Sequence, residues 1–495
     1  MGKWILKSGG GMKWSLLGSF LTFLSLVAAM VLSDTRAISA LPVNGVFAIP
    51  AFARKYDLPC SACHTAWPEL NSFGQNFRDN GYQLMNDKDS AIWQNPSYIP
   101  LAIRVTPNIH FERTNHQLVD SQPGNPSSGL VDSNVTQHGF DLSGIDIWSA
   151  GTLYKNISFS VLPSANSSAQ FHFENMYIRF DNLKSRWLNL KLGKFELDNM
   201  ISEKRFLFLS NNGGLYQIYH FSPMGSTNAF GLGNNQIGAE LSGHSADSYT
   251  RYSIAVLSSN DGNVNLPANR GYDTYVAVSH AFDAGKAGLE RIGAYAYLGQ
   301  RPTYFQTTSA GTPGASNNIP GTGIGNKPFY RAGFTGDLNV GRFEFLPFFL
   351  HGRDSAFLIN PTGQWVTPIN ATPTPANQAL PAGAQDPVWN GGFVETHFHV
   401  SPQFVVSQRY EIIRMSRQAF QSTAPDLGNI NAYSVGYRWY PFMYSRIGLA
   451  WHNEFSITKT IGGLPLSGGG IGQLPATPNT PVWSQSVMLG FDFAF

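Results

Sequence analysis

The sequence predicts an all-β protein: a transmembrane β-barrel of about 16 antiparallel strands behind a short N-terminal helical segment. Three observations predict it. Charged residues make up 13% of the 495, about half the ~25% usual in soluble domains, while aromatics make up another 13%. Beyond Ile99, apolar residues recur with a period of two. The links between these runs alternate long and short. Composition also excludes other classes. A disordered chain would have high net charge and few aromatics, and this one has a net charge of +2. A helical membrane protein would have several long apolar runs, and only one is present. A nucleic-acid binder would show a basic stripe, and none is seen.

The chain begins with Lys3, Lys7 and Lys13, followed by an apolar run from Trp14 to Leu32. Gly18, Ser19, Thr22 and Ser25 soften that run. Small residues follow, with cleavage expected after Ala37, Ala40 or Ala48. Residues 1–40 therefore read as a secretory leader, with Met12 as an alternative start. A retained membrane anchor is the competing reading, because such a run is long enough to span a bilayer. Export leads to the periplasm or beyond, where covalent haem attachment and disulfides are possible.

Residues 41–98 form the next unit. Both cysteines of the chain lie here, in Cys60-Ser61-Ala62-Cys63-His64. This spacing is that of c-type haem attachment. Two thiols three positions apart each form a thioether to one side of a porphyrin, and the adjacent His64 reaches the iron as proximal ligand. A zinc site would need further ligands at metal spacing. A thioredoxin-like pair would need a βαβ context, and a plain disulfide leaves the histidine unexplained. One covalent haem c is expected. Pro68 is expected to open a helix that Asn80-Gly81 closes. Leu70, Phe73 and Phe77 would share one face of it, as a wall for the haem or as packing against the barrel. Met85, just past that helix, is the expected second ligand of the iron. His110 and His116 are rivals, and a distant or vacant sixth position is the remaining option.

Residues 99–495 read as the barrel. Strands are expected near 99–113, 139–154, 157–163, 170–180, 187–195, 236–244, 249–258, 272–281, 289–300, 327–338, 342–352, 390–400, 402–415, 429–440, 444–458 and 484–495. The 114–138, 164–169 and 196–235 links are expected as long loops, and 155–156, 181–186 and 245–248 as short turns. Short periplasmic turns and long outer loops alternate in this way in outer-membrane barrels. Both barrel ends then lie on the periplasmic side, and the Cys60–His64 segment starts at that mouth, placed to plug the lumen. In the last strand Val487, Leu489, Phe491, Phe493 and Phe495 alternate with Met488, Gly490, Asp492 and Ala494, one face apolar and the other small or polar. His397 and His399 flank Phe398 and share a strand face. Facing the lumen is the simpler account of them, and metal binding the other.

The run from Ile49 to Leu84 resembles the haem segment of a known family, the monohaem porin–cytochrome fusions of the outer membrane, which include iron-oxidising cytochromes. The resemblance rests on Ile49-Pro50-Ala51-Phe52-Ala53, on Cys60, Cys63 and His64, and on Leu70-Asn71, Phe73-Gly74 and Gly81-Tyr82. The barrel is similar in architecture and length. The resemblance implies electron transfer across the outer membrane, from extracellular Fe(II) or another donor to a periplasmic carrier such as a cytochrome c or a copper protein. As an enzyme, the chain would be an iron:cytochrome c oxidoreductase. Two other functions fit the residues: a diffusion porin with a structural or sensing haem plug, and a peroxidase-like haem enzyme. The low carboxylate density suits acidic surroundings, where a carboxylate-rich outer face would lose its charge.

Overall fold

The computed structural model describes residues 50–86, 89–94, 100–120, 130–165, 170–210, 215–223, 226, 228–259, 261–262, 271–302, 305–307, 316–318, 326–359, 383–419, 428–461 and 481–494. The leader, its cleavage positions Ala37, Ala40 and Ala48, and Phe495 lie outside the described residues.

Sixteen strands close into one antiparallel barrel. They are β1 (Ala102–Asp120), β2 (Leu130–Tyr154), β3 (Ile157–Ala165), β4 (Phe171–Phe180), β5 (Asn189–Phe195), β6 (Gln236–His244), β7 (Thr250–Ser258), β8 (Tyr272–Asp283), β9 (Leu289–Pro302), β10 (Asn326–Val340), β11 (Phe343–Asp354), β12 (Val388–Ser401), β13 (Phe404–Arg417), β14 (Ile430–Trp439), β15 (Gly448–Ile461) and β16 (Pro481–Ala494). Each expected strand is present, in order. The last closes on the first, with Arg104 opposite Ala494 and Thr114 opposite Ser484. Closure gives every barrel strand a hydrogen-bonded neighbour on each side.

The period of two explains the two faces. In β16, Trp483, Leu489 and Phe491 are exposed on the outside, while Ser484, Ser486 and Asp492 are buried inside. Ile254 and Val256, Val276 and Val278, Ile292 and Leu298, Phe349 and Val394 continue the apolar exterior around the wall. A patch of this extent is untenable in water and is what lipid requires. The chain is an outer-membrane barrel.

Four details differ from the sequence expectation. The 114–138 stretch is mostly strand, because β1 runs to Asp120 and β2 starts at Leu130. Its period was hidden because polar residues occupy it, as where His116 pairs with Asp132 at 2.8 Å. The alternation of link lengths fails once, since 166–170 is shorter than 181–188. The strand expected from 444 begins at Gly448, because the preceding turn gives carbonyls to the N-terminal segment instead of the ladder.

The fourth difference is the 196–235 link, whose length suggested an outer loop. It folds inward instead. Leu197, Ile201, Tyr216, Tyr219, Phe221 and Phe230 are buried against Tyr275, Tyr297, Phe348, Trp389 and Phe393 of the wall. Tyr216 stacks on Phe393 at 4.4 Å. Glu454 of β15 accepts hydrogen bonds from the backbone N–H groups of Leu209 (2.6 Å) and Ser210 (2.7 Å).

The N-terminal segment contributes α1 (Ala51–Tyr56), α2 (Cys60–Cys63) and α3 (Ser72–Asp79). A further one-turn helix, α4 (Gln217–His220), lies in the inward link, and Glu411 of β13 accepts from the N–H groups of Gln217 and Ile218. The segment is tied to the wall from two sides. Cys60 and Ser61 donate their N–H groups to the carbonyls of Ser445 (2.8 Å) and Met443 (3.1 Å), in the turn between β14 and β15. Across the lumen, Arg251 of β7 pairs with Asp79 at 2.8 Å and with Asp198 at 2.7 Å. The segment therefore plugs the barrel at the end where the chain enters it.

Candidate haem-attachment site

α2 is a single turn, which sets Cys60 and Cys63 on one side and leaves His64 extended at its end. Both cysteines are free thiols. Burial pushes each thiol up to about 11, so both are protonated at neutral pH. His64 returns to the chain through a bridge to Leu70. Its Nδ1 lies 2.9 Å from the Glu69 carbonyl, which only accepts, so Nδ1 carries the proton. Burial holds the imidazole down at about 4. His64 is thus neutral, with Nε2 left as a lone-pair donor, the form a metal ligand needs.

α3 starts at Ser72 and not at Pro68. Asn71 caps it, accepting from the Gly74 N–H at 2.9 Å, and the same side chain donates to the Ala62 carbonyl at 3.1 Å. The cap therefore also ties α3 to α2. Gly74 is the point of closest approach: a Cβ there would sit 2.2 Å from the Cys63 carbonyl oxygen. Only glycine fits without parting the two helices.

Cys60, Cys63 and His64 line a cavity of about 360 Å³, between the segment and the wall from β1 to β7. Its volume falls in the ~300–1,000 Å³ range of cofactor pockets. Leu70 and Phe77 line it, as expected for haem packing. Phe77 also meets Phe52 edge-on at 5.0 Å and Tyr56 at 5.3 Å, so it serves as packing as well. Phe73 is 46% exposed and does not reach the cavity. Arg78, Arg104, Lys204 and Arg205 also line it. Each is paired with an acid: Arg78 with Asp198, Arg104 with Asp492, Lys204 with Glu174 and Arg205 with Glu196. Apolar rings, two thiols and a neutral imidazole fit a covalently held haem.

The expected second ligands are elsewhere. Met85 is 44% exposed and outside the cavity, with φ of 61°. His110 lies 3.2 Å from Glu112, and His116 is held by Asp132. The histidine that does line the cavity with His64 is His244, at the end of β6. Its Nδ1 lies 2.8 Å from the Ser245 carbonyl, and its buried Nε2 makes no hydrogen bond. Sequence reasoning missed it, because it lies far from the Cys60–His64 motif in the chain.

His397 and His399 face the lumen, as the strand alternation required. They are beside the site, because the Glu69 side chain meets His397 while its carbonyl holds His64. Burial, and then the Glu344 carboxylate, push the Glu69 carboxyl well above the ordinary range.

No protein-family model and no curated protein matches the sequence. Among solved structures, the fold is similar to an anion-selective porin from Comamonas acidovorans (TM-score 0.45, 11% identity, 80% of this chain and 98% of that one). It is also similar to OmpT of Vibrio cholerae (0.41, 8%, 80% and 98%) and OprB of Pseudomonas putida (0.41, 8%, 80% and 94%). These likenesses are too slight to inform function.

Proposed function

We propose that this barrel is an electron conduit of the outer membrane, holding one haem c on Cys60, Cys63 and His64 inside its periplasmic mouth. The observation that carries the reading is the placement of these three residues around one walled cavity. The Glu69 carbonyl that fixes the His64 tautomer supports the motif reading. When bound, haem c supplies a one-electron couple, with ferrous ion, oxidised to ferric, as the outer-sphere donor. The chain's own part is to bind and orient. α2 presents the thiols, the Glu69 carbonyl aims the imidazole, and Phe52, Tyr56 and Phe77 keep water from that wall. Among the described residues lining the cavity, His244 would offer the bound group a further imidazole nitrogen. Electrons leave toward a periplasmic cytochrome c or copper protein, because the segment sits at that end. The test adds ferrous iron to the oxidised, purified holoprotein at acidic and at neutral pH while haem absorbance is followed. Reduction is expected; no reduction at either pH overturns the iron reading.

The second reading is a diffusion porin with a haem plug. The closed sixteen-strand barrel favours it. The inward 196–235 link weighs against it, since its apolar side chains pack on wall residues from β7 to β14.

A further inference from the structure

Beside the haem cavity, the lumen wall carries a second group of donors. Glu344 of β11 faces His397 of β12 across the ladder, and His399 follows on the same face. One ligand atom from each of these three lies within 4.8 Å of the others. Glu69 adds a fourth from the N-terminal segment, its Oε2 3.2 Å from His397 Nδ1. Glu344 Oε2 lies 2.9 Å from the same nitrogen and 3.5 Å from His399 Nε2. Glu69 Oε2 and His399 Nε2 are buried atoms without a hydrogen-bond partner.

We infer that Glu69, Glu344, His397 and His399 form a binding site for one divalent transition-metal ion in the lumen. Two imidazoles with one or two carboxylates form the donor set that first-row divalent ions prefer, ferrous ion included. The surroundings of His397 suit a metal ligand. Its Nε2 lies 2.7 Å from Glu395, and the other Glu395 oxygen accepts from Arg409 at 3.1 Å. A ligand histidine is oriented in this manner, with the far nitrogen held by an anchored carboxylate and the near one facing the metal. Glu344 and Glu69 both converge on that near nitrogen, and a dication bound there would take the place of the proton shared with Glu344. The side chains of His399 and Glu69 are 19% and 17% exposed, although their donor atoms are buried.

Glu69 belongs to both sites. Its carbonyl fixes His64 and its side chain joins the metal donors. If the electron-conduit reading holds, an ion bound here is one residue from the proximal ligand of the haem. The site itself stands on its donors and does not need that reading.

The test uses redox-inert probes on the purified haem-loaded protein. Co(II) is titrated and its visible ligand-field absorption followed, and Zn(II) binding is measured by calorimetry. One ion per chain is expected. His399→Ala is expected to weaken binding at least about tenfold, and Glu395→Gln about 10–100-fold through the His397 anchor. An unchanged haem absorption band confirms that each variant is folded. No binding, or binding that neither variant weakens, overturns the site. Because Co(II) and Zn(II) give no electron to haem, this outcome is separate from the ferrous-iron assay.

Discussion

At the residue scale, chemistry is decided by which lone pair each histidine is left with. His64 and His244 each lie with Nδ1 against a backbone carbonyl, of Glu69 and of Ser245, which leaves Nε2 as the donor atom. Met85 has neither the burial nor the position, although it lies closer to His64 in sequence. The two assignments separate in a spectrum. With haem bound, His244→Ala is expected to alter the reduced visible spectrum. Met85→Ala is expected to leave that spectrum unaltered. A spectrum that responds to Met85 and not to His244 would reverse the assignment.

At the element scale, buried ion pairs hold the segment alongside its apolar packing. Asp79 at the end of α3 and Asp198 in the inward link share Arg251, and Arg78 adds a second cation. Burial alone would raise both carboxyls, but Arg251 and Arg78 win and hold them below the ordinary range. A lowered folded-state value contributes stability above the unfolded value of ~3.9. That contribution is lost as pH falls through the lowered values. Limited proteolysis across a pH series is therefore expected to find residues 50–86 protected down to pH ~4 and released only in stronger acid. Release at pH 5 to 6 would contradict the clamp.

At the scale of the whole molecule, the 13% charge acquires a location. The outer face is apolar, and charged groups such as Arg331–Asp354, Arg409–Glu395 and Arg438–Asp492 pair inside. The inward link then covers much of the inner wall. Planar-bilayer conductance is expected to be small for the native protein. A double Glu411→Gln, Glu454→Gln variant, which weakens the bonds holding the link, is expected to conduct severalfold better. A large native conductance would favour the diffusion porin.

The sequence by itself determined the barrel, its sixteen strands and the motif at Cys60–His64. Each of these is a local pattern. Alternation with period two reads out the two faces of a strand, and a thiol spacing reads out one helical turn. Boundaries failed where the pattern served something else, as in the turn before β15 that bonds Cys60 and Ser61. Only the tertiary structure decided what meets the motif. His244 and His397 come from β6 and β12, far along the chain, and barrel closure brings them to the segment. The inward fold of 196–235 also needed the structure, although its aromatics, among them Phe206, Phe208, Tyr216 and Tyr219, distinguish it from the Pro/Ala/Thr-rich links. Length alone cannot say whether a loop turns out to water or in to a lumen; that depends on the wall it finds to pack against.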